Sequence, residues 1–506
     1  MTTLSLTLAS LEETEDMART LSLWARPGTL IALVGDLGSG KSSFARAFIR
    51  ALMQPESTED IPSPSFSLLQ IYEDTRIPIF HADLYRLSTS EEQAELGFVD
   101  LLQSHCGLIE WADHLPGKIN DDTLQINFSG MGEMRLAKLE ASGSWEAALA
   151  RNALIATFLQ TPSFALGTRA FFEGDASLRR YETVVHQAKP ALLMDMPQRP
   201  DGPSVRHGKP YSAIAHLAEN ITSVVAINTL LVERGYSAPK ILMADLQNGL
   251  AIIEPLGAAV YGKMQGSGAD MREPLETAVA LLADMTRHDW PWLVNAAAGF
   301  SHAVKPYDEE AQLIEVDLLP SWYFPFARGV AAAPGINEEF AEIWRKILPL
   351  SSSENPQWVL RDYHSPNLIW IPERKGLQRV GLIDTQDALM GHAAYDLMSL
   401  IQDARIDIDP AMADHLYQHY VKLRQAQGVF SQSDFAAAYA VLGAQRATKI
   451  LGIFARLHKR DGKPAYLKHM PRVSRYLAHN LQHPALAPLR DWYLEHLPQA
   501  LRVGVS

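Results

Sequence analysis

The sequence predicts an α/β domain followed by a second, two-lobed α+β domain. An apolar run at residues 29–34, rich in strand-forming residues, leads directly into the glycine-rich sequence G-D-L-G-S-G-K-S at residues 35–42. Further along, a few strand-like runs precede long segments with helical periodicity. A chain of 506 residues is also too long for one compact core. These observations indicate two modules of different architecture.

The composition is that of a folded enzyme and excludes several classes of protein. Hydrophobic residues make up 47% and charged residues 20%, which argues against disorder. The net charge of −13 gives no overall attraction to nucleic acid or to anionic membranes. The single cysteine, Cys106, excludes an intramolecular disulfide and fits a reducing compartment. With no leader pattern and no run approaching 18 apolar residues, we expect a soluble cytoplasmic protein without membrane contact.

Local patterns predict the elements of the first module. Ser10 and Glu13 make a capping box, which predicts a helix over residues 10–24. Strands are predicted at 66–72, 77–81 and 108–111, helical spacing at 91–102, and a closing hairpin at 124–128 and 134–139. A helix over 145–159 is expected to carry the join between the modules. We therefore expect domains at residues 1–148 and 149–506.

The loop at residues 35–42 is predicted to bind the phosphates of a nucleotide. Backbone N–H groups of the glycine turn and of the following helix surround the phosphates, Lys41 neutralises them, and Ser42 reaches a magnesium ion. The helix-forming run at 43–52 supplies the helix that this mechanism needs. The predicted nucleotide-binding residues are Gly35, Gly38, Ser39, Gly40, Lys41, Ser42 and Ser43, with the turn at 10–14, including Thr14, as the candidate adenine contact.

Two acidic residues lie where predicted strands of this module end. Asp83 follows a short apolar strand in H-A-D-L-Y-R-L, and Glu110 ends the run L-I-E. An acid at the carboxyl end of such a strand can bind magnesium or orient an attacking water, so we predict catalytic roles for both. The hydroxyls of Ser63 and Ser65 in S-P-S-F either lie near the γ-phosphate or form an ordinary Ser-Pro turn.

Taken together, five motifs of this module resemble one known family. G-D-L-G-S-G-K-S, S-P-S-F, H-A-D-L-Y-R-L, E-L-G-F and I-E-W have the order and spacing of the small bacterial ATPase of tRNA threonylcarbamoyladenosine biosynthesis, the TsaE family. The resemblance covers about residues 5–140. It implies a P-loop NTPase fold and magnesium-dependent ATP hydrolysis that supports threonylcarbamoylation of tRNA adenosine 37. The implied partners are transferase-complex subunits of the TsaB and TsaD type, with tRNA met only through that complex.

The resemblance also assigns roles to individual residues. It implies that Lys41 holds phosphates, that Ser42 and Glu110 bind magnesium, and that Asp83 acts in hydrolysis. The family usually has threonine where this chain has Ser42 and Ser65, and serine keeps the hydroxyl at both positions.

The second module begins with strands and continues with helices. Strands are predicted at 180–185, 191–194, 240–244 and 250–254, with a helix at 213–233. From about residue 275 onward the chain is predicted to be mostly helical, interrupted by two short strands at 368–371 and 380–383. Gly174 and Ser177, in a turn between predicted strands, are candidates for a loop that covers nucleotide phosphates.

Residues 361–387 have the spacing of a kinase catalytic loop. R-D-Y-H-S-P-N-L-I-W-I is followed by a second apolar strand that ends at Asp384. In such loops the first carboxylate accepts the proton of the substrate hydroxyl, while the amide and the second carboxylate hold magnesium. We therefore predict that Asp362 is the catalytic base and that Asn367 and Asp384 are metal ligands.

The second half, about residues 152–500, resembles the kinases that phosphorylate N-acetylmuramate and N-acetylglucosamine at the anomeric hydroxyl. The resemblance is carried by G-D-A-S-L-R-R-Y, L-R-D-Y-H-S-P-N-L, G-L-I-D-T-Q-D-A and A-Y-D-L-M-S-L-I-Q-D-A-R, although the family usually reads D-F-Q-D where this chain reads D-T-Q-D. It implies an aminoglycoside phosphotransferase-type kinase fold, with a small lobe at about 152–258 and a helical large lobe at about 259–506. ATP and Mg²⁺ are the implied cofactors, and an amino sugar of cell-wall recycling is the implied acceptor.

One position departs from the wider kinase pattern. The strand that usually bears a phosphate-pairing lysine ends here as L-L-M-D-M-P, with Asp195 at the lysine position. An acid there repels ATP phosphates, so another cation is needed, and Arg179, Arg180 and Lys209 are the candidates. Two rival interpretations stay open. The second half is either a catalytically inactive docking module or a kinase of another acceptor, such as an aminoglycoside or a choline-like amine.

Overall fold

The fold is described from a computed structural model that covers residues 2–54, 56–87, 89–130, 134–160, 169–172, 179–198, 200 and 202–501. The chain forms two compact units, Met1–Asp195 and Met196–Ser506. Gly174 and Ser177 lie outside the described residues. Within the described ranges, no helix has both the length and the apolar character needed to span a membrane.

The first unit contains a seven-stranded mixed sheet with helices. Its strands are β1 (Thr2–Leu8), β2 (Leu30–Gly35), β3 (Leu69–Tyr72), β4 (Ile79–Asp83), β5 (Cys106–Glu110), β6 (Thr123–Ser129) and β7 (Arg135–Ala141). The strand order is β1-β7-β6-β2-β5-β4-β3. The central strands β2, β4, β5 and β6 run parallel, so their carboxyl ends meet at one edge. The helices of this unit are α1 (Leu11–Ser22), α2 (Lys41–Leu52), α3 (Ser90–Ala94), α4 (Phe98–Leu101) and α5 (Ser144–Leu159).

Local signals account for most of these elements. Half of the predicted capping box is present: the Ser10 hydroxyl accepts from the Glu13 N–H at 3.2 Å, but the Glu13 carboxylate accepts from the Ala9 N–H at 2.6 Å instead of the Ser10 N–H. The helical spacing at 91–102 belongs to two short helices, α3 and α4, and Gly97 between them has a left-handed φ of 65°. Strand β1 was not predicted, although its alternating residues are a strand signal, because its partner β7 lies far along the sequence.

Buried apolar side chains cover both faces of the sheet. Ile31, Leu33, Phe44 and Phe48 are completely buried between the sheet, α1 and α2. On the other face, Phe80 is buried with Leu30 and Ile109. Parallel strands buried on both faces need continuous apolar runs, which is why β2 and β5 were visible in the sequence.

Three antiparallel strands that follow α5 also belong to the first unit. They are β8 (Ala170–Phe172), β9 (Arg180–His186) and β10 (Lys189–Asp195), and Asp195 lies opposite Arg180 in their register. The compact units therefore divide after Asp195, whereas the sequence places the domain boundary near residue 148. Two cation–aromatic contacts help to explain the difference. The guanidinium carbon of Arg180 lies 3.4 Å from the Trp24 ring centre, and that of Arg76 lies 4.4 Å from the Phe171 ring centre.

The second unit is mostly helical. Its helices are α6 (Tyr211–Ile214), α7 (Ile221–Glu233), α8 (Tyr261–Gly266), α9 (Arg272–Met285), α10 (Glu309–Val316), α11 (Phe324–Arg328), α12 (Pro334–Ile347), α13 (Ala394–Ile401), α14 (Pro410–Gln427), α15 (Gln432–Lys459), α16 (Met470–Asn480) and α17 (Ala487–His496). Its strands are β11 (Ser204–Arg206), β12 (Lys209–Pro210), β13 (Ile241–Asp245), β14 (Leu250–Ile253), β15 (Leu293–Ala297), β16 (Phe300–Ala303), β17 (Gln357–Val359), β18 (Leu368–Trp370), β19 (Val380–Leu382) and β20 (Leu389–Gly391).

Two predictions for this unit were wrong. The predicted helix at 213–233 is two helices, α6 and α7, because His216 adopts a left-handed φ of 53° between them. The helical part contains six strands among the described residues where the sequence predicted two. The additional strands have three to five residues each, which is too short for a clear alternating pattern.

Candidate functional sites

The predicted phosphate-binding loop lies between β2 and α2, at the carboxyl edge of the parallel strands. A Cβ on Gly35 would lie 2.4 Å from the Phe128 carbonyl oxygen, so only glycine fits there. Gly38 has open space around it, but its φ of 78° favours glycine. Helix α2 begins at Lys41, and its N-cap, Gly40, provides no side-chain cap. The first N–H groups of α2 are therefore available to an anion.

Two hydroxyls in this segment are placed to serve a nucleotide. The Ser39 hydroxyl is buried and has no hydrogen-bond partner among the described residues, which suits a loop that closes around an anion. Ser43 is half-buried in the first turn of α2. The phosphate-binding roles of both residues stay predictions.

Lys41 is folded back onto its own loop. Its Nζ donates to the carbonyl oxygens of Gly35 at 2.6 Å and Asp36 at 2.9 Å, and lies 3.7 Å from the centre of the Trp111 ring. Burial lowers the pKa of Lys41, and the negative charge of Glu110 acts in the opposite direction. The ammonium group thus sits beside the loop's own carbonyl groups, which phosphate oxygens can replace.

Ser42, Glu110 and His81 form a hydrogen-bonded chain. The Ser42 hydroxyl donates to Glu110 Oε2 at 2.7 Å, and Glu110 Oε1 lies 2.9 Å from His81 Nε2. Glu110 and His81 are each only 1% exposed. The two predicted magnesium ligands are therefore adjacent, and hydroxyl and carboxylate oxygens are ligands that Mg²⁺ prefers. Sequence reasoning missed His81, although it lies within H-A-D-L-Y-R-L, because a lone histidine carries no signal.

Asp83 lies beside Glu110, since the two residues are paired in the register of β4 and β5. Its carboxylate accepts hydrogen bonds from the Ser65 hydroxyl at 2.8 Å, the Tyr85 N–H at 2.9 Å and the Ser63 hydroxyl at 3.5 Å. The S-P-S-F hydroxyls therefore contact the predicted catalytic acid. The two strand-end carboxylates that the sequence singled out share one edge of the sheet.

Thr14 is placed differently from the other predicted nucleotide contacts. It is buried in α1, and its hydroxyl donates to the Ser10 carbonyl oxygen at 3.3 Å. Its side chain is thus engaged within its own helix. An adenine contact in this turn stays a prediction, and its backbone is the better candidate.

In the second unit, the predicted catalytic loop brings Asp362, Asn367 and Asp384 together. Asn367 Nδ2 donates to the Asp362 carbonyl oxygen at 3.1 Å and to Asp384 Oδ2 at 3.5 Å. Strands β18 and β19 pair Leu368 with Leu382, which carries the end of the loop alongside the segment leading to Asp384. Asn367 and Asp384 are thus neighbours, and amide and carboxylate oxygens are ligand types that a magnesium ion accepts.

Two residues of this site have a left-handed backbone, Arg361 with φ 66° and Asp384 with φ 62°. Such a conformation costs about 1 kcal/mol or more for a residue with a side chain, so its surroundings must hold it. The buried Asp396 carboxylate accepts from the backbone N–H groups of Leu360 at 2.7 Å and Arg361 at 3.0 Å. Asp396 thereby fixes the backbone directly before Asp362.

A second buried acid fixes the other side of the loop. Asp403 accepts a hydrogen bond from the Ser365 N–H at 2.9 Å and another from the Ser365 hydroxyl. Asp396 and Asp403 are the two acids of A-Y-D-L-M-S-L-I-Q-D-A-R. That motif was one of those that carried the resemblance to the amino-sugar kinases. In the structure its two acids hold the backbone of the loop, a role that sequence reasoning did not assign.

Buried charges surround the predicted base. Glu315 pairs with Arg361 and with Lys449, whose Nζ lies 2.7 Å from Glu315 Oε1. Burial disfavours the charge on Glu315, but Lys449 and Arg361 outweigh it and hold its pKa at about 2. Burial likewise raises the pKa of Asp362, while His364 and Lys449 bring it below its ordinary value. Asp362 is therefore ionised at neutral pH, as a proton acceptor must be.

A cavity of about 750 Å³ adjoins this site within the second unit. Its walls come from the start of α7, the β15–β16 hairpin and residues that follow Asp384. Gln386 lines the cavity, and its Nε2 donates to Asp384 Oδ1 at 3.0 Å. Lys305 and Glu219 contribute charges of opposite sign to the lining. The cavity is thus linked to the predicted metal ligand by a direct hydrogen bond.

Asp195, which the sequence pattern places at the usual lysine position, is paired in the first unit with Arg151 of α5. Arg151 Nε and Nη2 both donate to Asp195 Oδ1, at 3.0 and 2.6 Å. The cations predicted to replace the lysine all have protein partners. Arg180 Nη2 donates to Glu182 at 2.7 Å, Lys209 lies 3.9 Å from Glu310, and Arg179 also makes contacts within the protein. Their role toward phosphates stays a prediction.

Comparisons with known proteins match both parts of the chain. The family described as "Threonylcarbamoyl adenosine biosynthesis protein TsaE" matches residues 8–137, and the "Phosphotransferase enzyme family" matches residues 168–429. N-acetylmuramate/N-acetylglucosamine kinase of Caulobacter vibrioides is 34% identical over 361 residues, which are 70% of this chain and 98% of the relative. The kinase of the same name from Pseudomonas aeruginosa is 32% identical over 333 residues, 64% of this chain and 87% of the relative.

The first part has its own relatives. The tRNA threonylcarbamoyladenosine biosynthesis protein TsaE of Rickettsia conorii is 37% identical over 125 residues, which are 25% of this chain and 70% of the relative. Both resemblances in the sequence are confirmed, and both families use ATP with magnesium. The chain belongs to the TsaE family through its first part and to the phosphotransferase enzyme family through its second, and is a fusion of an ATPase with a kinase.

Proposed function

We propose that the chain carries two separate activities in the cytoplasm. Residues 1–148 form an ATPase that supports threonylcarbamoylation of tRNA adenosine 37. Residues 149–506 form a kinase that phosphorylates the anomeric hydroxyl of N-acetylmuramate or N-acetylglucosamine for cell-wall recycling. The main support is that each unit brings predicted site residues together, Ser42 and Glu110 beside Lys41 in one and Asn367 and Asp384 beside Asp362 in the other.

In the ATPase, the phosphate loop binds ATP together with Mg²⁺. ATP would supply the phosphoanhydride bond that is hydrolysed, and Mg²⁺ would compensate the negative charge of the phosphates. Lys41 leaves the carbonyl oxygens of Gly35 and Asp36 and pairs with phosphates. Ser42 and Glu110 would hold the metal, and the contact with His81 keeps the Glu110 carboxylate in place. Asp83 orients the attacking water in a direction set by its bonds to Ser65 and Tyr85.

The partners are subunits of the TsaB and TsaD type, with tRNA reached through them. The test is ATP hydrolysis by the full chain with and without those two subunits, using a Lys41→Ala chain as the control. We expect slow hydrolysis alone and a rise on addition of the partners that the Lys41→Ala chain lacks. An unchanged rate with folded partners would contradict this assignment.

In the kinase, Asp362 accepts the proton of the anomeric hydroxyl as the oxygen attacks the terminal phosphorus of ATP, whose bond to the bridging oxygen breaks and releases ADP. Asn367 and Asp384 would hold the magnesium ion, which neutralises the transferred group. The anomeric hydroxyl is more acidic than other sugar hydroxyls, so a carboxylate with a low pKa can serve as its base. Asp396 keeps the loop in the strained conformation that aims Asp362.

The cavity beside Asp384 is our candidate acceptor site. It is large enough for an amino sugar, and Gln386 connects it to Asp384, the predicted metal ligand. Lys305 in its lining offers a cation to the carboxylate of N-acetylmuramate. An aminoglycoside or a choline-like amine would need several acidic or aromatic groups, whereas the described lining offers one acid, Glu219, and one phenylalanine, Phe300.

The kinase assignment is tested by phosphorus NMR of the product. Incubation of the full chain with ATP, magnesium and either sugar is expected to yield the sugar 1-phosphate, and Asp362→Asn is expected to yield none. A 6-phosphate would reject the position of transfer. Absence of product from any amino sugar would favour the docking-module interpretation.

A further inference from the structure

We propose that Arg446, in α15 (Gln432–Lys459), is a catalytic residue of the kinase that binds the phosphoryl group during its transfer to the sugar. This inference rests on the proposed kinase function. The negative charge of a transferred phosphoryl group is usually met by a lysine or arginine beside the metal ion. The predicted catalytic loop, residues 362–367, contains neither, so such a cation has to come from another element of the fold.

Arg446 is a buried cation whose guanidinium group is not used within the described structure. The residue is only 5% exposed. It donates no hydrogen bond to, and forms no ion pair with, any residue that the structure describes. Taking a charged group out of water is costly unless a partner replaces the water. A buried guanidinium in this condition therefore fits a site that a bound anion completes.

The neighbours of Arg446 in α15 place it beside the predicted catalytic loop. Gln445 Nε2 donates to Glu315 Oε2 at 2.9 Å, and Lys449 Nζ donates to Glu315 Oε1 at 2.7 Å. Glu315 also pairs with Arg361, which directly precedes the predicted base in the chain. The carboxylate of Glu315 thus serves Arg361 and Lys449, whereas Arg446 is left for a ligand.

The charge of Arg446 also reaches the side chains of that loop. Burial raises the pKa of Asp362, and Arg446 is among the cations that act in the opposite direction. Burial lowers the pKa of His364, and Arg446 lowers it further. Because electrostatic effects weaken with distance, the guanidinium lies near both side chains. Arg446 and Asp362 nevertheless form no ion pair within the described ranges, so the carboxylate stays available to the sugar hydroxyl.

A second nitrogen beside Asp362 is also open to a ligand. His364 Nδ1 is buried and has no hydrogen-bond partner among the described residues, while its Nε2 lies 3.7 Å from Asp362 Oδ1. Two nitrogen-bearing side chains near the predicted base, Arg446 and His364, therefore have unused hydrogen-bonding capacity. An anionic ligand with several oxygens, such as a phosphoryl group, would satisfy both.

The position fits the path of the reaction. Asp362 takes the proton of the anomeric hydroxyl, the sugar oxygen bonds to the terminal phosphorus, and the bond to the bridging oxygen breaks to release ADP. The transferred group is thus bonded to the same oxygen from which Asp362 removes the proton. Arg446 stays protonated throughout and donates to the phosphoryl oxygens.

The carboxylate of N-acetylmuramate is the other anion that the proposed reaction brings to the kinase. Our candidate cation for it, Lys305, lines the cavity that Gln386 joins to Asp384, and neither Arg446 nor Asp362 belongs to the described lining. The position of Arg446 near the predicted base favours the phosphoryl group.

The experiment compares the full chain with its Arg446→Met and Arg446→Lys variants. Formation of sugar 1-phosphate from N-acetylglucosamine and from N-acetylmuramate gives kcat and KM for each sugar. Calorimetry gives the affinities for N-acetylglucosamine 1-phosphate and for N-acetylglucosamine, neither of which carries a carboxylate. Thermal unfolding confirms that each variant is folded.

Arg456→Met is the matched control. Arg456 lies in the same helix, about 15 Å further along its axis. Its Nε is also buried without a hydrogen-bond partner in the described structure, and its guanidinium carbon lies 5.7 Å from the centre of the Tyr211 ring. This residue shares charge and helix with Arg446 but not the position beside the loop, so its variant should match the parent in rate and affinity.

We expect Arg446→Met to lower kcat about hundredfold for both sugars and to weaken the binding of N-acetylglucosamine 1-phosphate about tenfold. The KM values of the sugars and the affinity for N-acetylglucosamine should stay within about twofold of the parent. Arg446→Lys should retain more of the rate than Arg446→Met, because lysine keeps the charge without the planar fork.

Three results would overturn the inference: an unchanged kcat in folded Arg446→Met, a defect confined to the KM for N-acetylmuramate, or equal losses of affinity for the sugar and its 1-phosphate. If the parent chain forms no sugar phosphate, the proposed function fails, while the affinities for N-acetylglucosamine 1-phosphate still decide whether Arg446 binds a phosphoryl group.

Discussion

The ammonium group of Lys41 lies 3.7 Å from the centre of the Trp111 indole ring. Because a nucleotide draws this lysine toward its phosphates, we predict that ATP with magnesium changes tryptophan fluorescence. The chain has 10 tryptophans, so the signal is isolated as the difference between the parent and Trp111→Phe. A nucleotide-dependent change that persists undiminished in Trp111→Phe would show that the lysine does not leave the ring.

Glu315 couples the kinase fold to pH. Its pKa falls from an ordinary value of 4.5 to about 2, because Lys449 and Arg361 outweigh the effect of burial. A carboxyl group with a depressed pKa in the folded state adds stability above its unfolded pKa and loses that contribution as the pH falls toward the folded value. The contribution of Glu315 is therefore expected to be full above about pH 4.5 and to fade toward pH 2.

We predict that Glu315→Gln lowers the free energy of unfolding at pH 7 by about 3–5 kcal/mol, because it leaves two buried cations unpaired. The deficit relative to the parent should shrink as the pH falls from 4.5 toward 2. Urea unfolding across this range measures it, with the exposed Glu338→Gln as control. A deficit under 1 kcal/mol at pH 7, or one that grows in acid, would contradict the assigned charge state.

Lys305 tests the acceptor site. If this lysine meets the carboxylate of N-acetylmuramate, Lys305→Met should raise the KM for that sugar about tenfold and leave the KM for N-acetylglucosamine nearly unchanged. Lys375→Met serves as the control, because Lys375 is exposed and does not line the cavity. Equal effects on the KM values of the two sugars, or no effect on either, would show that Lys305 does not bind the carboxylate and that the acceptor binds elsewhere.

The site residues that could be predicted from the sequence are those whose positions follow from a single loop or from neighbouring strands. The glycines before Lys41 follow from the geometry of one loop, and neighbouring parallel strands explain why Asp83 and Glu110 meet. The proximity of Asp362 and Asp384 could likewise be predicted. A short strand, β18, follows the loop of Asp362, and its antiparallel partner β19 comes just before Asp384. In each case, a residue pattern and a known strand geometry suffice.

The contacts that sequence did not predict join distant segments. Asp396 reaches a loop 36 residues away, and Arg151 reaches Asp195 across 44 residues. No periodicity or spacing connects such pairs, since their proximity depends on how whole elements pack. The same reason explains why the predicted domain boundary near residue 148 differs from the observed division after Asp195. The contact between Trp24 and Arg180 connects the first part of the chain to strand β9, which the sequence assigned to the second domain.

The central claim is that one chain has two chemically separate sites, and a crossed assay of two variants tests it most directly. Lys41→Ala is expected to lose ATP hydrolysis about hundredfold or more while still forming sugar 1-phosphate. Asp362→Asn is expected to lose sugar phosphorylation about hundredfold or more while keeping partner-stimulated ATP hydrolysis. Both variants are measured for both activities in folded full-length protein. Loss of both activities together in either variant would contradict two sites and indicate a single shared one.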